Sequence, residues 1–135
     1  MQPARDKYRT KFVNSMLGII SFYRGNTYLA KADYDEAEIY YRVALDKTRH
    51  RKGHPQYIEA LNNLSLLLTR RRNPREAIEL LNQANSLCTK GKPVAPVACT
   101  HVLYNLALAQ LQVQDYEAAL NTLESVLKAA GNLVV

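Results

Sequence analysis

Three short stretches, Asp33-Tyr-Asp-Glu-Ala37, Asn73-Pro-Arg-Glu-Ala77 and Asp115-Tyr-Glu-Ala-Ala119, constrain this chain more than any other feature. Their alanines recur at intervals of 40 and 42 residues. A fixed period of that size is the signature of a repeat architecture, in which each unit buries its apolar face only by stacking on a neighbour. Around the first stretch, Gly25 and Tyr28 lie three apart, while Ala37, Tyr41 and Ala44 fall at helical spacing after a turn at Ala32-Asp33. Two amphipathic helices joined by so short a connection must fold face to face, and a Gly or Ala at the crossing lets the backbones approach. The pattern returns in Leu61, Leu64 and Leu68 with Leu81 and Ala84, and again in Leu103, Leu106 and Ala107 with Leu123 and Val126. The unit is a helical hairpin, present three times.

In its small and aromatic positions, Gly25, Tyr28, Ala37, Tyr41 and Ala44, the chain resembles the tetratricopeptide repeat (TPR) family, and the resemblance covers nearly its whole length. Its period exceeds the basic unit of about 34 residues. His54-Pro55 followed by Ala60-Leu-Asn-Asn-Leu-Ser65 resembles the extended repeats of kinesin light chain. Ser21 and Arg24 depart from the pattern where large apolar residues are expected, as does Pro74 where an aromatic is usual. The resemblance implies an all-α fold, a right-handed α-α superhelix of three hairpins and six helices, forming a single domain over residues 1–135 with repeats at about 8–48, 55–89 and 95–130.

Helix boundaries follow from local chemistry. Residues 1–7 are expected to fray, and a long first helix runs from Tyr8 to Lys31 with Phe12, Met16, Ile19 or Ile20, and Tyr23 on one face, acting as a cap on the stack. Asp33 and Asn73 are placed to cap the second and fourth helices, whose first turns are acidic or open with proline. Arg49 to His54 and Lys90 to Pro93 form linkers, Ile58, Leu61, Leu64 and Leu68 stripe the third helix, and Leu103, Leu106 and Leu111 the fifth. Gly131 is expected to stop the sixth helix at Ala130.

Composition narrows the functional classes. No apolar run approaches the roughly 20 residues that span a bilayer, and no cleavage site follows Met16-Leu-Gly-Ile-Ile20. The expectation is therefore an intracellular, most simply cytoplasmic, protein; Cys88 and Cys99, at the end of one helix and the start of the next, are placed so that a disulfide is geometrically conceivable, but free thiols buried as small hydrophobes are expected. Three histidines, His50, His54 and His101, have no orienting carboxylate, and no phosphate-binding glycine loop or zinc spacing occurs. Catalytic residues, metal and cofactor are thus all expected to be absent, and the chain is read as a non-enzyme.

A binding surface is easier to derive. The first helix of each hairpin lines the inner side of such a stack. Setting the three in register gives a candidate partner-binding groove of Phe22, Tyr23 and Asn26 with Ala30, then Asn62, Asn63, Leu66 and Arg70, then His101, Tyr104, Asn105, Leu108 and Gln112. An asparagine amide offers one donor and one acceptor side, so a row of them can hold an extended peptide backbone. In TPR relatives equivalent asparagines clamp peptides, but Phe22 and His101 stand where the carboxylate-gripping subset carries lysine, so an internal or helical segment, not a free C-terminus, is the expected ligand. The alternative is that these amides only bond neighbouring helices.

Residues 1–75 hold 15 Lys/Arg against 7 Asp/Glu, a net +8, and residues 76–135 hold 3 against 5, a net −2. The clusters Arg49, Arg51, Lys52 and Arg70, Arg71, Arg72 are most simply a solvated, solubilising face; as a binding surface they favour an acidic protein partner over nucleic acid, because no aromatics interleave with them. The chain is read as an adaptor or scaffold module. Two alternatives are a structural subunit packing through its terminal helices into homo- or hetero-oligomers, and a basic nucleic-acid-binding surface.

Overall fold

A computed structural model of the chain describes residues 3–90 and 96–133. The described elements are α1 (Pro3–Ala30), α2 (Tyr34–Lys47), a 3₁₀ turn (Arg49–Arg51), α3 (Pro55–Arg70), α4 (Pro74–Thr89), α5 (Pro96–Gln112) and α6 (Tyr116–Leu133). Helices pair as α1 with α2, α3 with α4 and α5 with α6, so the fold is the expected all-α helical repeat. The chain divides into two compact units, Met1–Lys52 and Gly53–Val135.

The three hairpin turns share one backbone solution. Ala32, Arg72 and Gln114 each adopt a left-handed conformation, with φ of 60°, 64° and 65°. The following amide donates back to the helix in every case, Asp33 to Tyr28 O (2.9 Å), Asn73 to Leu68 O (2.8 Å) and Asp115 to Gln110 O (3.0 Å). This is the Schellman arrangement, which satisfies carbonyls that the helix end leaves open. The turns repeat at the same 40- and 42-residue intervals as the alanines.

Capping departs from expectation. Neither Asp33 nor Asn73 caps with its side chain, because Lys31 holds the Asp33 carboxylate at 3.7 Å and Asn73 Nδ2 donates to Glu76 Oε2 at 3.1 Å. Asp115 does cap, accepting from the Ala118 amide at 3.3 Å. His54, expected to be a solvated linker residue, caps α3 by accepting from Gln56 N at 3.2 Å.

Two helices are longer than predicted. α1 begins at Pro3, whose fixed φ suits a first helical turn, and Thr10 donates to Asp6 O in the segment expected to fray. α6 runs through Gly131 to Leu133, since Gly131 does not take up the left-handed backbone that would end it. The cysteines also correct the sequence reading. Cys88 and Cys99 form a disulfide with Cα atoms 5.9 Å apart, joining the end of α4 to the start of α5. Their placement at the end of one helix and the start of the next allowed the bond, which the expected reducing compartment disfavoured; the packing of α4 on α5 brings the two ends together. The rest of the second predicted linker, after Lys90, lies outside the described residues.

In the unit Met1–Lys52 the core is Gly18, Ser21, Phe22 and Gly25 of α1 against Ala37, Tyr41 and Ala44 of α2. Gly25 is required there: a Cβ would lie 2.6 Å from Tyr41 Cδ1. The departure at Arg24 is absorbed at the surface, where its guanidinium sits 5.5 Å from the centroid of the Tyr40 ring. The predicted apolar face of α1 is instead exposed, Phe12 by 65%, Met16 by 47%, Ile20 by 46% and Tyr23 by 59%. In the unit Gly53–Val135, α3 contacts both α4 and α5, and its buried set therefore extends beyond one stripe to Tyr57, Ala60, Asn62, Ser65 and Leu67. Leu106 of the α5 stripe is buried, whereas Leu111 is 41% exposed.

Candidate functional site

The best-defined polar arrangement lies between α3 and α5. Both helices present a polar residue on their facing sides, Asn62 and Thr69 on α3, Asn105 and Gln112 on α5, each pair 43 residues apart. Asn105 Nδ2 donates to Asn62 Oδ1 at 2.9 Å, and Gln112 Nε2 donates to the Thr69 carbonyl at 3.1 Å. Ser and Thr on these helices turn their hydroxyls back on their own carbonyls, as Ser65 does to Leu61 O at 2.7 Å and Thr69 to Ser65 O at 2.9 Å. The Asn62–Asn105 amide pair and the Gln112 amide on the Thr69 carbonyl form a seam that fixes the register of α3 on α5.

Beside the seam the helices remain open. Leu66 and Asn63 are half-buried and Arg70 exposed on α3, while His101, Tyr104 (50%) and Leu108 (36%) are exposed on α5. Helical spacing adds residues that the sequence reading left out: Glu59 lies one turn before Asn63, and Val97 and Leu111 extend the line of His101, Tyr104 and Leu108. Their exposure follows from the i±3 and i±4 neighbourhood of the residues already named, which was the available signal. The strip is therefore apolar along α5 apart from His101, and mixed along α3, with the acid Glu59 and the base Arg70 at its α3 edge.

Of the remaining candidates, Asn62 is only 8% exposed and belongs to the seam rather than to the open strip. On α1, Phe22 is 4% exposed and packs its ring 6.3 Å from that of Tyr41, so it is a core residue. Asn26 accepts from the Tyr41 hydroxyl at 2.6 Å, an interaction within the first hairpin. Tyr23 is exposed and meets Phe22 edge-on at 5.3 Å.

The basic residues divide. Arg49 pairs with Asp46 at 3.4 Å and Arg51 is half-buried, whereas Lys52 is exposed. Arg70, Arg71 and Arg72 are exposed together at the C-terminal end of α3, where cations complement the negative end of the helix dipole. His50 bonds Ser15 at 3.1 Å between Nε2 and Oγ, tying the 3₁₀ turn to α1. Among the described residues no group of His, Cys, Asp and Glu could hold a metal ion, and no helix is long and apolar enough to cross a membrane.

Comparison with known proteins places this geometry. A family model described as tetratricopeptide repeat matches residues 16–90, and a second of the same description matches residues 100–133. No curated protein sequence matches the chain. Among solved structures, the crystal structure of the TPR domain of Arabidopsis FLU superposes with a TM-score of 0.79 over 88% of this chain and 98% of that one, at 18% identity. At that identity the likeness is one of fold.

Proposed function

The chain belongs to the tetratricopeptide repeat family, and from that premise we propose that it is a non-catalytic module that captures an extended segment of a partner protein on the open strip between α3 and α5. TPR repeats generally mediate protein–protein interaction, and the family is typically non-catalytic. The observation that carries the finer reading is the seam: with Asn62–Asn105 and Thr69–Gln112 holding the two helices, the strip beside it is a fixed surface. Leu66 and Leu108 offer apolar contacts with the half-buried Asn63 beside Leu66, and Arg70 with Arg71 and Arg72 a positive edge. That edge would favour an acidic partner and act chiefly on its association rate. An adaptor or scaffold role follows from this reading.

The test compares three forms of the chain as baits: wild type, Asn63→Ala/Leu108→Glu, and Arg70→Glu/Arg71→Glu/Arg72→Glu, each first shown to keep its helicity. Neither altered position of the first variant is one of the four seam residues Asn62, Thr69, Asn105 and Gln112. Loss of the same partners by that variant, with retention at low salt by the charge-reversed one, supports capture on the strip. Partners retained by Asn63→Ala/Leu108→Glu would overturn it.

A further inference from the structure

Much exposed apolar surface lies outside the strip. α1 presents Leu17 (43%), Ile20 (46%) and Tyr23 (59%), together with Phe12 and Met16. α6 presents Leu120 (64%) and Leu127 (74%), and α5 presents Tyr104 (50%) and Leu111 (41%). Apolar faces of this extent mark interaction sites.

The repeat itself indicates what fits them. The left-handed turn residues Ala32, Arg72 and Gln114 set the repeat frame, so a position of α1 corresponds to one 82 residues later in α5, and positions of α3 and α4 to ones 42 later in α5 and α6. In the unit Gly53–Val135, α5 seats on the preceding hairpin through Cys88–Cys99, Asn62–Asn105, Thr69–Gln112 and Val102, which is fully buried. Moving that junction one repeat along puts Ala130 against Leu17, Tyr104 against Tyr23, Leu111 against Ala30, and Ile20 in the place of Val102. The covalent and polar contacts of the internal junction become pairs of apolar or aromatic residues, and Leu17, Ile20, Tyr23, Tyr104 and Leu111 each take a place in it.

We propose that the chain associates head to tail with a second copy, α5 and α6 of one copy seating on α1 of the next as α3 and α4 seat on α5. Charge supports this orientation over a symmetric one. Residues 1–30 carry Arg5, Lys7, Arg9, Lys11 and Arg24 against Asp6, a net +4, whereas residues 96–133 carry Lys128 against Asp115, Glu117 and Glu124, a net −2. Two α1 faces repel each other; an α1 face and an α6 end attract. The contact is heterologous, so each copy keeps one free face of each kind. Tyr104 and Leu111 are common to this surface and to the peptide strip.

Sedimentation velocity over a wide concentration range tests this, using wild type, Ile20→Glu and Leu127→Glu. Both substitutions lie on exposed positions, and circular dichroism checks that the helices persist. Wild type is expected to grow with concentration, and each variant alone to associate at least about thirtyfold more weakly, as for a charge placed in an interface hot spot. Mixed together, the two variants should give a 1:1 dimer of twice 15.3 kDa and nothing larger, since each retains the face the other lacks. As a second readout, Leu17→Cys and Ala130→Cys variants should cross-link on oxidation only when mixed. A wild type that stays monomeric throughout overturns the proposal, as does a Leu127→Glu variant that still self-associates or a Leu17→Cys variant that cross-links to itself, both of which mean a symmetric α1 contact. Binding to anionic vesicles without self-association would overturn it in favour of a membrane surface.

Discussion

Replacing Gly25 by alanine sets two effects of opposite sign against each other. Gly25 lies inside α1, where alanine is favoured by about 1 kcal/mol on helix propensity alone. The new Cβ, however, would stand 2.6, 2.7 and 3.1 Å from Cδ1, Cε1 and Cγ of Tyr41. That ring is fully buried and its hydroxyl is bonded to Asn26 at 2.6 Å, so it cannot withdraw without breaking the bond. Overpacking costs about 1–3 kcal/mol and a lost hydrogen bond about 1 kcal/mol more, which outweighs the propensity gain. The net expectation is destabilisation by about 1–3 kcal/mol, or a fall in Tm of roughly 4–10 °C, read by circular dichroism on heating. The repeat supplies the compensating change. Positions equivalent to Gly25 and Tyr41 are Ser65 and Leu81, then Ala107 and Leu123, so a Cβ is accommodated where the partner is leucine. Gly25→Ala/Tyr41→Leu should accordingly lose less stability than the sum of the single changes. A higher Tm for Gly25→Ala, or simple additivity of the pair, would refute the argument that the Tyr41 ring is pinned against Gly25.

Other outcomes follow from the same geometry. Ala32 holds φ at 60°, so Ala32→Gly should stabilise the first turn by about 1 kcal/mol in chemical denaturation, despite glycine's entropic cost. Reducing Cys88–Cys99, which closes a loop of 11 residues, should cost about 3 kcal/mol in the chain-entropy account, seen as a lower Tm with reductant that Cys88→Ser reproduces without it. Asn105→Leu should cost about 1–3 kcal/mol by depriving the 8%-exposed Asn62 of its Nδ2 donor, whereas Asn62→Leu/Asn105→Leu should recover part of that loss.

The sequence by itself determined the repeat and its period, because side chains that must meet across a hairpin recur wherever the hairpin does. Gly25 and Tyr41 were legible as a small-against-large pair, and the turns at Ala32, Arg72 and Gln114 fell where the alanine register put them. Much of the candidate strip was equally legible, since His101, Tyr104 and Leu108 follow from helical spacing once α5 is recognised. Tertiary structure decided what spacing cannot carry. Whether an amide faces solvent or another helix depends on what packs beside it, and so Asn62 and Asn105 became a seam while Phe22 went into the core. The same holds for Cys88 and Cys99, whose bond depends on two helix ends meeting in space. It holds too for α1, whose apolar residues surround the helix in sequence but can be covered by α2 on only one side.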